Sequence, residues 1–218
     1  MLVYDRAVHQ GVPEVCQEAN FAEPLRFLER CREKGAPCVL ASLACVFGEG
    51  LGDRILTEDM PARPAGTAGK MLALAEERFA AYERGFVLRV SDPLGIVTGA
   101  MEEVAAGRLG FDDRLIEPVS SRVVEFVASR LVTAADPPKV LHLPSRTAMS
   151  FSEAMYGVHG EGGWTEPSGG RHSLWPRPGR LGSRLIEGAI GWSDMMLAYT
   201  SNDHFVRLAL SPSLRGRV

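Results

Sequence analysis

The sequence predicts an α/β fold built around a parallel sheet. Short apolar segments alternate along the chain with segments whose apolar residues recur at helical spacing, and this alternation is typical of βαβ units. The segment Cys38–Ala41 is wholly apolar and follows Gly35-Ala36-Pro37, as expected for a strand that is buried on both faces. The predicted strands are Met1–Tyr4, Cys38–Ala41, Phe86–Val90 and Lys139–Leu143.

Two amphipathic helices are predicted between these strands. The first covers Asn20–Lys34, with Asn20 as its N-terminal cap and Gly35 just beyond its end. The second covers Thr67–Arg84 and ends at Gly85. Its buried face is predicted to carry Leu72, Ala75, Phe79 and Tyr82.

The second half of the chain mixes shorter elements. Helices are predicted at Ala100–Ala106, Ser121–Leu131 and Leu181–Ile190, and the Ser150–Glu153 pair has the spacing of a capping box that opens another short helix. The segment Val158–Arg180 is rich in Gly, Pro and Trp and has no period.

Composition excludes several classes of partner. The 218 residues carry a net charge of −3, which gives no basic surface for nucleic acid or an anionic membrane. No signal peptide and no apolar run of membrane-spanning length is present, so we expect a cytoplasmic protein. The four cysteines, Cys16, Cys31, Cys38 and Cys45, form no Cys-x-x-Cys pair, and we expect buried, reduced thiols and no metal site.

Several strings resemble one family in the same order and at similar spacing. The family is that of the dTDP-4-dehydrorhamnose reductases, which are extended short-chain dehydrogenase/reductases. Ala41–Gly48 resembles its Ser-Thr-Asp-Tyr-Val-Phe segment, and Leu88–Gly95 resembles its Leu-Arg-Thr-Ser-Trp-Val-Tyr-Gly segment. Weaker matches are Leu56–Asp59, Pro64–Glu76, Ile116–Val119, Val140–Leu143, Arg177-Pro178 and Gly191-Trp192.

The resemblance implies a partial Rossmann-type sheet that lacks the first strands, followed by a small substrate-binding region. It divides the chain into a partial Rossmann-like domain at 1–99, a mixed α/β part with sugar-nucleotide-binding elements at 100–192, and an unassigned tail at 193–218. It also implies a dTDP-sugar substrate and NADP or NAD as cofactor. Binding of the cofactor is in doubt because no Gly-x-Gly-x-x-Gly turn occurs in the sequence. Gly48–Asp53 is Gly-rich, but its spacing and its acidic residues favour a surface loop.

The family's proton-transfer group is incomplete in this chain. Lys70 matches the family's lysine and is the candidate for a catalytic and cofactor-binding role, although it also suits an ordinary exposed helix position. The position of the family's proton-donating tyrosine is Gly66, and that of its carbonyl-orienting threonine is Leu43. Ser42 is the other catalytic remnant. Neither Thr67, a weak acid, nor Tyr82, on the packed side of the helix, is expected to replace the tyrosine.

Arg177 is the candidate for substrate binding, because a guanidinium can pair with a phosphate in a two-bond fork. The alternative is an arginine on a solvated loop, which the sequence favours slightly. Trp164 and Trp175 have the same two interpretations, as stacking surfaces or as packing anchors. His142 lies in an apolar strand and is expected to be a hydrogen-bonded core residue.

In the family's sheet the first strand lies beside the fourth, so the Met1–Tyr4 strand is predicted at an exposed edge. A second copy, a separate chain or a missing segment of the same gene is expected to cover it. Three functions follow as hypotheses. One is a sugar-nucleotide-binding protein with lost or much reduced reductase activity. The second is a non-catalytic interaction or regulatory subunit that uses this edge. The third is an active reductase completed by a missing N-terminal segment.

Overall fold

A computed structural model of the chain describes residues 2–4, 17–48, 54–107, 115–159 and 180–210. Outside these ranges lie Cys16, the stretch 49–53, Trp164, Trp175 and Arg177, among others. The elements, in chain order, are β1 (Leu2–Tyr4), α1 (Glu23–Glu33), β2 (Cys38–Leu43), β3 (Ile55–Leu56), α2 (Thr67–Ala80), β4 (Gly85–Val90), β5 (Asp92–Pro93), α3 (Leu94–Ala105), β6 (Leu115–Ile116), β7 (Pro118–Val119), α4 (Ser121–Leu131), β8 (Val140–Leu143), β9 (Met149–Ser150), α5 (Phe151–His159), β10 (Arg180–Leu181), α6 (Ile186–Ile190) and α7 (Trp192–Ala209).

A four-stranded parallel sheet with the order β1-β2-β4-β8 forms the centre of the molecule. This confirms the predicted α/β class. In the described part of the sheet, β1 pairs with β2 and stands at one end, as predicted. Whether another chain covers this edge stays a prediction.

Helices cover both faces of the sheet. Alternate strand residues point to opposite sides, so Leu88 and Leu141 pack with α4, α6 and α7, whereas Leu40 and Val87 pack with α1 and α2. A third apolar cluster lies apart from the sheet and joins α3, α5 and the end of α7; its members include Val97, Met101, Phe151, Met155 and Val206.

The start of the first helix differs from the prediction. A π-helical turn at Glu18–Ala22 precedes α1, and Asn20 lies inside this turn with a relative exposure of 3%. The prediction that Asn20 caps the helix is therefore wrong, because the helical backbone already begins before it. Pro24 follows this turn at the second position of α1.

The end of α2 also differs. The helix stops at Ala80, and Gly85 is the first residue of β4 rather than the end of the helix. A side chain at position 85 would place its Cβ only 2.2 Å from the carbonyl oxygen of Phe79. The glycine is needed because helix and strand approach each other closely there. Tyr82 lies in the turn between them, and its hydroxyl donates to the carbonyl of Ala36 at 3.2 Å.

Two helix starts follow their sequence signals. Helix α4 covers Ser121–Leu131 as predicted, and the Ser120 hydroxyl accepts a hydrogen bond from the Val123 N–H at 3.4 Å. The capping box before α5 is confirmed: the Ser150 N–H donates to Glu153 at 2.7 Å, and the Glu153 N–H donates to the Ser150 hydroxyl at 3.1 Å.

Two helices predicted in the second half of the chain have different bounds in the structure. Helix α3 begins at Leu94 rather than Ala100. The division of the chain into domains at residue 99 stays a prediction. Leu181 belongs to a strand, and the helix predicted at Leu181–Ile190 is reduced to Ile186–Ile190. The tail that the sequence left unassigned contains all but the first residue of α7, an 18-residue helix that packs against α4 through Met195, Ala198 and Tyr199.

Of the cysteines in the described ranges, Cys31 and Cys38 are buried, Cys45 is half-buried, and all three are free thiols, as expected. Burial raises the pKa of Cys38 and that of Cys45 to about 12. Within the same ranges no group of three or more metal-ligating side chains converges. None of the described helices is both long and apolar enough to cross a membrane.

Candidate functional site

The carboxyl ends of the parallel strands form the candidate site, because ligands of such sheets bind at this edge. Strand β2 ends here and continues into a 3₁₀ turn at Ala44–Phe47. The segment that precedes α2 packs directly on this turn: the Arg63 N–H donates to the carbonyl of Val46 at 2.8 Å. An added Cβ on Gly69 would lie 2.8 Å from the carbonyl oxygen of Cys45. The structure therefore brings the turn that contains Lys70 against the segment that follows Ser42 and Leu43.

Gly66 is the N-terminal capping residue of α2 and is exposed to solvent. Its backbone is extended, with φ −85° and ψ 164°, and an added Cβ would meet nothing within 4 Å. Its carbonyl accepts the Lys70 N–H at 3.0 Å, which places the exposed Lys70 one helical turn further on. The fold does not require a glycine here, so the lack of a side chain is not imposed by packing.

Replacement of Gly66 with Tyr is expected to leave the fold and its stability nearly unchanged, within about 0.5 kcal/mol, because the position is exposed and its φ suits any residue. Urea denaturation of the variant and the parent chain measures this. The matched control is Gly69→Ala, which is expected to destabilise because its Cβ meets backbone. Equal losses of stability in both variants would show that a side chain at position 66 clashes with neighbouring atoms.

Ser42, one of the two predicted catalytic remnants, lies in a buried environment. Its side chain is fully buried, and its hydroxyl donates a hydrogen bond to Glu76 of α2. Leu43 is half-buried and packs against the apolar cluster under α1 and α2. In this arrangement the Ser42 hydroxyl is committed to a buried carboxylate rather than presented to a ligand.

Glu76 also forms a buried ion pair with Arg89 of β4. Their side chains are only 6% and 7% exposed, and the guanidinium Nη2 lies 2.8 Å from Oε2 of Glu76. The Nε of Arg89 adds contacts of 3.1 and 3.2 Å to the same carboxylate, and the guanidinium stacks over the Phe47 ring at 4.7 Å. This geometry satisfies both charges, which is the condition for burying them.

The polar side chains form one row across three strands. Ser42 on β2 is in register with Arg89 on β4, and Arg89 is in register with His142 on β8. His142 is fully buried, and its Nε2 lies 3.3 Å from Nη1 of Arg89. Its Nδ1 lies 3.1 Å from the carbonyl oxygen of Leu56 and 2.9 Å from that of Gly182. The prediction of a hydrogen-bonded core histidine is confirmed.

Sequence reasoning assigned no role to Glu76 or Glu58, although both lie in segments that resemble the family. The Glu58 carboxylate accepts hydrogen bonds from the backbone N–H groups of His142 at 3.2 Å and of Arg184 at 3.1 Å, and from the Ser183 hydroxyl. The available signal for Glu76 was its spacing from Leu72 and Phe79, which places it on the buried face of α2.

The segment that contains the candidate Arg177 lies outside the described residues. Arg180, three residues further along the chain, is bonded to the described part of the molecule. Arg180 donates two hydrogen bonds to one oxygen of Glu117, at 2.8 and 2.6 Å. The Glu117 backbone N–H in turn donates to Asp92, just beyond the end of β4, at 2.8 Å. The chain that follows Arg177 is therefore attached to the same edge of the sheet.

Comparison with known proteins shows the fold. No family model and no curated protein matches the sequence. Three similar solved structures are the Bordetella bronchiseptica enzyme WbmG with NAD and UDP, the Bacillus anthracis dTDP-glucose 4,6-dehydratase with NAD, and the Thermotoga maritima UDP-glucose 4-epimerase with UDP-glucose. Their TM-scores are 0.66, 0.62 and 0.63, and their sequence identities are 15%, 14% and 16%.

The similarity covers 96%, 87% and 88% of this chain and 72%, 70% and 72% of the three other chains. The chain has the Rossmann-like fold of these enzymes. At such identities the comparison concerns the fold alone, so the resemblance to dTDP-4-dehydrorhamnose reductases in particular stays a prediction.

The residues described here do not fit a complete nicotinamide site. The Ser42 hydroxyl is bonded to Glu76, Gly66 offers no side chain, and the sequence contains no Gly-x-Gly-x-x-Gly turn. Exposed Lys70 is the predicted remnant of such a site. We therefore derive no hydride-transfer step for this chain.

Proposed function

We propose that this chain binds a nucleoside-diphosphate sugar, with a dTDP-sugar as the expected ligand, and has little or no NAD(P)H-dependent reductase activity. The observation that carries the proposal is Gly66 at the exposed start of α2, in a fold shared with enzymes that act on sugar nucleotides. The ligand class comes from the proteins that share this fold, and the loss of reduction comes from the residues of this chain.

The chemistry of a keto-sugar reduction needs an acid beside the carbonyl oxygen. A positioned acid contributes about a hundred- to ten-thousandfold to such a reaction. At position 66 there is no side chain, and the Ser42 hydroxyl donates to Glu76. A dinucleotide-binding segment supplied from elsewhere would add no side chain at position 66 and would not free the Ser42 hydroxyl, because Gly66 and Ser42 lie within this chain.

Arg177 is proposed to bind the diphosphate, and its removal provides the test of binding. Calorimetric titration with dTDP-glucose and UDP-glucose is expected to give saturable binding, weakened about tenfold or more in Arg177→Ala, because a charge-assisted hydrogen-bond pair is lost. Arg171→Ala, in the same segment, is the matched control and is expected to bind normally. The lack of saturable binding for either sugar nucleotide would contradict the proposal.

A further inference from the structure

Two distant segments of the chain meet above the polar row. Strands β3 and β10 pair in parallel, with Leu56 opposite Leu181, and the Gly182 N–H donates to the carbonyl of Leu56 at 2.8 Å. The carbonyls of Leu56 and Gly182 both face Nδ1 of His142, at 3.1 and 2.9 Å. One imidazole therefore connects both segments to the central sheet.

The partners of His142 define where its proton lies. Carbonyl oxygens only accept hydrogen bonds, so Nδ1 must carry the hydrogen that it donates to Leu56 and Gly182. The guanidinium of Arg89 only donates, so Nε2, 3.3 Å from Nη1, must be the acceptor. These contacts select the neutral imidazole with its hydrogen on Nδ1. A second proton on Nε2 would point at a cation.

Charged groups from each packed element face this imidazole. Arg89 of β4 opposes a second proton, and the Glu76 carboxylate of α2 is already paired with Arg89. Glu58, in the turn after β3, favours a charged imidazole, but its oxygens accept from Ser183 and from backbone N–H groups. Asp59 and Arg184 lie further out, and the edge of the imidazole meets the Phe47 ring at 5.6 Å between centroids.

The balance of these groups favours the neutral form. Burial is the largest cause that lowers the pKa of His142; Arg89 adds to it, while Glu58 and the two carbonyls act in the opposite direction. A buried histidine whose pKa is lowered takes up a proton more readily once the groups that bury it move away. Acidification through the ordinary histidine range, near about pH 6.5, therefore favours the state in which the imidazole is exposed.

We propose that neutral His142 is the positioning residue that holds the Arg180–Ile190 segment on the sheet, and that protonation of its imidazole releases this segment. The release is local, because α2 and β4 remain joined by the Glu76–Arg89 ion pair and by their apolar contacts. The inference goes beyond the proposed function, since it concerns how the C-terminal segment is held, whatever ligand binds beside it.

Hydrogen exchange of the full chain between pH 7.5 and 5.5, corrected for intrinsic rates, tests the proposal. Opening of Arg180–Ile190 is expected to increase by up to about tenfold per pH unit below about 6.5, while exchange in α2 stays constant. In His142→Asn, whose amide can still donate but does not titrate, the pH dependence is expected to disappear. His204→Gln, at an exposed histidine of α7, is expected to keep the parent profile.

Nitrogen NMR of the parent chain gives an independent readout that needs no variant. At pH 7 it is expected to show a neutral His142 ring with its hydrogen on Nδ1. A hydrogen on Nε2 or a charged ring at this pH would overturn the proposal. So would a flat exchange profile in the parent chain, or a loss of protection that occurs equally in α2.

Discussion

Arg89→Met is expected to lower the free energy of unfolding by about 3–5 kcal/mol, because it leaves the buried Glu76 carboxylate without its cation. The Ser42 hydroxyl remains its only side-chain donor among the bonds described above. The loss is expected at pH 7. Urea denaturation of the parent chain and the variant measures the difference.

Two further variants control this experiment. The double variant Arg89→Met/Glu76→Met removes both charges and is expected to recover most of the loss, since an apolar pair of similar volume can replace a buried ion pair. Arg130→Met removes the partner of Asp194 in a more exposed ion pair, with side chains 48% and 29% exposed, and is expected to cost less than about 1 kcal/mol. Similar losses in Arg89→Met and Arg130→Met would contradict the described burial.

Asn202→Ala is expected to cost about 2–3 kcal/mol, because Asn202 joins α7 to the carboxyl edge of the sheet. Its side-chain oxygen accepts the Ser120 N–H at 2.9 Å, and its amide donates to the Pro118 carbonyl at 2.9 Å and to the Ser145 hydroxyl at 3.1 Å. These groups are buried, so water cannot readily replace the lost partner.

Thermal and urea unfolding measure this loss, with Thr200→Ala as the control. Thr200 is an exposed residue of the same helix, and its replacement is expected to change stability by less than about 0.5 kcal/mol. If the two variants unfold alike, α7 does not depend on the Asn202 contacts for its position.

The sequence predicted those elements whose signals are local. Helix α4 and the capping box of Ser150 and Glu153 depend on residues within a single turn, and both appear where expected. The burial of Leu72, Ala75 and Phe79 follows from helical spacing alone. The boundaries of α2 and α3 were less accurate, since the close approach at Gly85 and the start at Leu94 are set by tertiary packing.

The sequence of helix α7 carries a pattern of buried residues at helical spacing, but the pattern is weak. Met195, Ala198, Asn202 and Val206 are buried at spacings of three or four residues, but the stripe has a polar residue in its middle. Trp192 and Leu197 lie outside it and are more than half exposed. The apolar pattern is therefore weak, and the helix is stabilised by contacts with α4 that sequence spacing does not reveal.

The candidate site could be predicted only in part. Ser42, Arg89 and His142 are each an isolated polar residue in an apolar strand, and their common row appears only when the strand register is known. The family string predicts Ser42 as a catalytic remnant, and this role stays a prediction; the structure shows its hydroxyl bonded to Glu76 of α2. The sequence alone does not distinguish a catalytic serine from a structural one, because it does not reveal the hydrogen-bond partner of the hydroxyl.

The most direct test of the account measures the oxidation of NADPH and NADH by the purified chain with dTDP-4-keto-sugar, beside calorimetric binding of dTDP-glucose to the same protein. We expect saturable binding of the sugar nucleotide together with cofactor oxidation that is absent or at least about a hundredfold below that of an ordinary enzyme. Oxidation at an ordinary enzymic rate would contradict it, because the proton would then come from a group other than one at position 66.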